Sequence, residues 1–163
     1  MKQLSLLSIN EKAPLKVSTA SDAFMFEAEQ TKYTVGFVED EAIATKGVYQ
    51  LFLMNKDGSK NTLSKEIYQT VVAIIEEFFK ENDNAILYIC DISDNRQTAR
   101  DRLFSIWFNS YEKKEDFTLE RASVDFDGTK YHAAMLISNS NPHYKEFLNA
   151  FNDFTMKFKT KLN

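Results

Sequence analysis

"LSKEIYQTVVAIIEEFFKENDNAILYICD", Leu63 to Asp91, is a long amphipathic run followed by a short apolar one. Ile67, Val71, Ile74, Ile75, Phe78 and Phe79 recur at helical spacing, while Glu76, Glu77 and Lys80 fall off that face. Ser64 stands where a helix needs its N-cap, and Glu66 lies near the positive end of the dipole. "NAILYICD" (84–91) is apolar on both faces and reads as a buried strand. Upstream, "VYQLFLMN" (48–55) has the same two-faced character and also reads as a central strand. A strand, a long helix and a second buried strand in succession allow a parallel crossover.

Outward from this unit the periodicity changes. In "DAFMFEAEQTKYTVGFVED", Phe24, Phe26 and Ala28 share one face, and Tyr33, Val35 and Phe37 share another across a turn near Gln30–Thr31. This alternation predicts antiparallel strands over 22–29 and 32–39. A helix is expected over 95–111, then a hairpin around Asp127-Gly128, a strong two-residue turn signal. Asn141-Pro142 is expected to start a last helix, with proline at its first position and Tyr144, Phe147, Leu148, Phe151, Phe154 and Phe158 on its apolar face. The expected order is β-β-β-α-β-α-β-β-α. That is a single α+β domain over 22–163 with a mixed, mostly antiparallel sheet flanked by helices. Residues 1–21 read as an N-terminal arm, with helix and strand both open.

Composition narrows the function classes. The chain has 163 residues, enough for one domain with a substantial core. Its 14 Phe and 7 Tyr predict an aromatic core, and the excess could also supply an interface for a homo-oligomer or a protein partner. The formal net charge is −4, so the chain as a whole lacks the positive charge that a nucleic-acid role needs. Cys90 is the only cysteine, which excludes an internal disulfide. No apolar stretch approaches the roughly 20 residues of a membrane span. The N-terminus lacks the cleavage pattern of a signal peptide, so a cytoplasmic location and no membrane contact are the expectation. His132 and His143 have no neighbour at metal-ligand spacing, so no metal site is expected. Cys90 beside Asp91 reads as a buried core thiol, because a nearby carboxylate opposes thiolate formation.

The charged turn "DISDNRQTAR" (91–100) is the main candidate site. With Arg96 set at zero on a helical wheel, Leu103 falls at about −20°, Trp107 at about 20° and Arg100 at about 40°. Thr98, Asp101, Arg102, Ser105 and Asn109 gather opposite. The wheel thus expects Arg96 and Arg100 on the inward stripe. Burying an unpaired guanidinium is costly, so an anion should meet these arginines. It is either an internal carboxylate, Asp91 or Asp94 among them, or a bound phosphate or carboxylate, for which Arg offers a bidentate fork. Asp91, Asp94, Asn95, Arg96 and Arg100 are therefore the candidate ligand-binding or structural ion cluster.

Two resemblances add to this reading. A three-stranded meander, helix, strand, helix and hairpin over roughly 22–138 resembles the core of the GNAT acyltransferase superfamily. The resemblance implies an acetyl-CoA cofactor, its pyrophosphate held by a loop of pattern R/Q-x-x-G-x-G/A. The corresponding stretch is "NKDGSKNTLSKE", with Gly58, Ser59, Asn61 and Ser64 as the candidate cofactor loop, but only one glycine is present. Close backbone approach to a pyrophosphate is what paired glycines permit. "NRQTARDRLF" places no tyrosine where the family's general acid stands. The stretches "YTVGFVED", "VVAIIEEFF" and "ILYICDISDNRQTARDRLFSIWF" resemble an uncharacterised family of short bacterial proteins, over most of 22–110. That resemblance carries no activity. The expected function is therefore unknown in its chemistry. A GNAT-like binding or interaction module leads, with a divergent N-acyltransferase and a subunit of a multi-component system as alternatives.

Overall fold

A computed structural model describes residues 1–56 and 63–162. The expected α+β class with a mixed sheet flanked by helices is borne out. The elements are α1 (Leu6–Lys12), β1 (Ser18–Ala20), β2 (Ala23–Ala28), β3 (Thr31–Glu39), β4 (Val48–Asn55), α2 (Lys65–Glu81), β5 (Ala85–Ile89), α3 (Gln97–Ser110), β6 (Phe117–Phe126), β7 (Thr129–Ser138) and α4 (Tyr144–Leu162). A single 3-10 turn, Lys114–Asp116, precedes β6. The strand order is β1-β2-β3-β4-β5-β7-β6. β4 and β5 pair in parallel from Val48↔Ala85 to Gln50↔Leu87, as the crossover reading requires. The pairs β1/β2, β2/β3, β5/β7 and β6/β7 are antiparallel. Residues 1–21, left open by the sequence, contain α1 and β1.

Close contacts group the chain into two compact units. The first comprises Met1–Val38 and Leu51–Asn82, the second Glu39–Gln50 and Asp83–Asn163. In the first, Phe24, Phe26, Tyr33, Val35 and Phe37 of β2 and β3 are buried, and so are Ile67, Val71, Ile74 and Phe78 of α2. The alternation thus marks the core faces of β2 and β3, but the helical period of α2 needs one correction: Glu77, read as lying off the apolar face, is 1% exposed, its carboxylate accepting from the Ser5 amide and pairing with Lys80, both at 3.4 Å. Phe37 stacks on Phe78 at 4.7 Å between ring centroids. Ser64 Oγ accepts from the Ile67 amide at 3.4 Å, the cap expected of it. Asn82 ends α2: its amide and side-chain nitrogen both donate to the Phe78 carbonyl, and its Oδ1 accepts from the Lys2 amide at 2.7 Å. Gly36 makes room for the tip of the Phe52 ring, since a Cβ there would come within 2.3 Å of its Cζ.

In the second unit Ile43, Val48, Ala85, Leu87, Met135, Ile137, Phe147 and Phe151 form one buried cluster, to which α4 contributes the two phenylalanines. The hairpin turn is the expected one. Asp127 and Gly128 both have positive φ, at 46° and 72°, as a two-residue primed turn demands. The start of α4 differs from expectation. Asn141 Oδ1 accepts from the His143 amide at 2.7 Å and its carbonyl from the Tyr144 amide at 3.1 Å. The asparagine side chain closes a turn ahead of the helix, so Pro142 lies in that turn and not at the first helical position. Among the described residues, no helix is long and apolar enough to cross a membrane.

Candidate functional site

The two-residue turn fixes the hairpin register, and the register builds a polar cluster. Counting back from Phe126↔Thr129 places Ser123 opposite His132 and Arg121 opposite Ala134. Tyr88 of β5 also pairs with Ala134, and the Cys90 amide donates to the His132 carbonyl at 3.1 Å. Directly opposed residues share a sheet face, so Ser123, His132, Arg121 and Tyr88 lie on one face. α3 covers it: Phe104 stacks on Tyr88 at 4.6 Å between centroids.

His132 is 5% exposed. Its Nδ1 lies 2.7 Å from Ser123 Oγ and its Nε2 lies 3.1 Å from Thr98 Oγ1. A neutral imidazole has one donor and one acceptor, and a hydroxyl can play either part, so both ring nitrogens are matched. Asp101 forms an ion pair with Arg121 and stands 3.7 Å from His132 Nδ1, beyond hydrogen-bond reach. A hydroxyl on an imidazole nitrogen is the pairing of a nucleophile with its base. The carboxylate sits by the same nitrogen as the serine, so it does not orient the ring from the other side as a triad would. Burial and the Asp101 carboxylate push the Cys90 thiol up to about 11. Burial likewise raises the Tyr88 hydroxyl. Neither group is primed as a nucleophile near neutral pH.

Before α3, the β5–α3 turn folds on its own side chains. Asp91 accepts from the Ser93 amide and hydroxyl, at 2.9 and 2.7 Å. Asp94 Oδ1 accepts from the Arg96 amide at 3.1 Å. Arg100 grips Asp94 with both terminal nitrogens, at 2.7 and 2.6 Å, and donates to the Asp91 carbonyl at 2.8 Å. Asp94 is thus the anion that meets Arg100. Asn95 takes φ of +58°, a conformation that asparagine accepts more readily than most residues. Arg96 is exposed at the N-cap position and makes no side-chain cap.

The wheel reading of α3 is corrected here. Gln97 is its buried residue, and Thr98 and Asp101, assigned outward, meet His132 and Arg121. Arg96, assigned inward, is exposed. The wheel equates inward with apolar, but the strand surface under this end of α3 is polar and selects polar partners. A signal for part of the cluster was present in the sequence: the Asp127-Gly128 turn alone sets Ser123 opposite His132. Of the candidate cofactor loop, Gly58, Ser59 and Asn61 lie outside the described residues, and Ser64 caps α2. His143 is exposed at the start of α4, 3.5 Å from Glu146. Among the described residues, no three His, Cys, Asp or Glu side chains gather into a metal-holding set.

The Arg100–Asp94 fork has a pH signature. Its hydrogen bonds hold the Asp94 carboxyl at about 2, against an ordinary 3.8. A depressed carboxylate stabilises the fold fully above its unfolded value and loses that contribution as pH falls through the folded one. The window is therefore about pH 4 down to about pH 2. In a carboxylate-resolved NMR titration, Arg100→Ala is expected to return Asp94 toward 3.8. An unmoved Asp94 would exclude the fork in solution.

No curated protein matches the chain. A family model matches residues 63–153, more than half the chain, and takes in α2, β5, α3, β6, β7 and the first half of α4, hence the whole His132 cluster and the β5–α3 turn. The resemblance seen in "VVAIIEEFF" and "ILYICDISDNRQTARDRLFSIWF" lies inside this segment, whereas "YTVGFVED" lies before it. The chain belongs to that family, a family of unknown function, DUF6169.

Proposed function

We propose that the chain is a binding or interaction module whose ligand-facing surface is the β5–α3 turn: Asp91, Asp94, Asn95, Arg96 and Arg100, with Gln97 behind them. The observation that carries the reading is Gln97. The residue is 7% exposed, and its Oε1 has no hydrogen-bond partner among the described residues. Buried acceptors are seldom left unpaired, and a ligand donor is one way to pair this one. The turn in front of it is preorganised by the Arg100–Asp94 fork, which lowers the entropic cost of binding. The raised Cys90 thiol and the self-paired charges support binding rather than nucleophilic chemistry.

A thermal-shift screen of the full chain with CoA compounds, nucleotides and small anions tests this, since a ligand bound only to the folded state raises the melting temperature. Gln97→Met is expected to leave the unliganded melting temperature equal or higher, because an apolar isostere removes an unpaired buried acceptor. It is also expected to abolish the shift given by any hit. A screen without hits, or a shift that survives Gln97→Met, defeats the reading.

A second reading, a divergent N-acyltransferase using acetyl-CoA, rests only on the resemblance of the element order from Ala23 to Ser138 to that superfamily. Calorimetry with acetyl-CoA separates the two. Binding followed by acetylation of an amine at enzymatic rates would replace the module reading. No heat at millimolar acetyl-CoA would remove the acyltransferase.

A further inference from the structure

β6 is the last strand of the sheet order and is ten residues long, whereas β1 at the other edge has three. Its pairing with β7 runs unbroken from Phe117↔Ser138 to Phe126↔Thr129, so no bulge turns it aside, and it contains no proline. The turn pairs Phe126 with Thr129 through the hydrogen bond that closes it, and bonded and non-bonded pairs then alternate. Even-numbered residues of β6 thus spend their backbone groups on β7. Leu119, Arg121, Ser123 and Asp125 direct theirs outward. Among the described residues, no backbone bond from another element reaches those four. A long, unbulged edge with unspent backbone groups is a template for another strand.

Its charges choose the strand. Two copies joined edge to edge about a twofold axis normal to the sheet keep their faces, so paired positions have the same parity. Centred on Arg121, the ladder sets two arginines head-on. Centred on Glu120, it opposes two glutamates. Centred on Ser123, it places Arg121 opposite the partner's Asp125 and Asp125 opposite the partner's Arg121, both among the outward-bonding residues. Arg121 is 46% exposed although paired with Asp101, and Asp125 is 69% exposed, with Lys130 3.8 Å away. Both are accessible to a partner strand.

We propose that this chain forms a homodimer by antiparallel β6–β6 pairing centred on Ser123, with two reciprocal Arg121–Asp125 ion pairs across the axis. The pairing extends the sheet continuously through both copies. It brings the two Ser123–His132 pairs to either side of the axis, so the partner's Asp125 joins the polar cluster through Arg121. It is independent of any ligand at the β5–α3 turn.

Sedimentation velocity of the full chain over a concentration series tests it. The wild type is expected to reach dimer mass as concentration rises. Asp125→Arg sets like charges opposite on both sides of the axis while leaving the Asp101–Arg121 pair untouched, and is expected to weaken association about tenfold. Arg121→Asp is expected to weaken it as well. An equimolar mixture of the two variants is expected to dimerise again, because every reversed charge then meets its opposite. Should Arg121→Asp fail to fold, as judged by circular dichroism, Asp125→Arg alone decides. A chain that stays monomeric at all concentrations, or a dimer indifferent to Asp125→Arg, overturns the proposal.

Discussion

Phe78→Ala is expected to destabilise the fold by about 3–5 kcal/mol, the cost typical of truncating a large buried aromatic. Phe78 is fully buried. It stacks on Phe37 at 4.7 Å and meets Phe79 edge-on at 5.3 Å between centroids. Truncation forfeits the transfer energy of the ring and leaves a hole between α2 and β3, which the strand backbone cannot close. The ring stacks also contribute beyond area alone. Phe78→Leu refills most of the volume and should recover a large part of the loss. Urea denaturation of the three proteins measures this as a shift in midpoint at constant slope. A loss below about 1 kcal/mol, the scale of an ordinary surface change, would mean that this contact is not formed.

Asp40→Ala is the second large effect, and its physics is polar. Asp40 is 6% exposed at the end of β3. Its Oδ1 accepts from the Ala42 and Ile43 amides at 3.0 and 2.8 Å, and its Oδ2 from the Gln50 side-chain amide. The Asp40 amide donates to the Val48 carbonyl at 2.9 Å. One carboxylate therefore closes the 40–48 connection, whose Gly47, at φ of +85°, turns the chain into β4. Alanine would leave the buried Ile43 amide and the half-buried Gln50 side chain unpaired, at about 2–4 kcal/mol in total. Asp40→Asn keeps one acceptor and should cost distinctly less. Equal losses for the two variants would mean that Asp40 contributes only its charge.

The elements that period and capping define were legible in advance. β4 runs over Val48–Asn55 as its two-faced apolar run indicated. α2 begins after its Ser64 cap, and the hairpin turns at Asp127-Gly128. Each is specified locally, by residues within one turn or a few strand positions. α3 was placed correctly along the chain but not in rotation. Its apolar residues are spread around the helix, so no single stripe marks the buried side. The deciding contacts come from Thr98 and Asp101 to residues more than 15 positions away.

The candidate site shows the same division. The sequence alone determined that Arg100 must find an anion, because an unpaired guanidinium near the core is costly. Asp94, six residues back, could be named as a candidate but not chosen over a ligand. Only the tertiary structure decided it, since the two-pronged grip depends on how the β5–α3 turn folds back over the first turn of α3. His132 marks the limit more clearly. In the sequence it is a lone histidine in a strand. Its neighbours come from β6 and α3, brought together by strand register and helix docking. Local sequence sets backbone conformation through short-range sterics and capping. Which side chains meet across elements is set by how whole faces pack, and that is a property of the assembled fold.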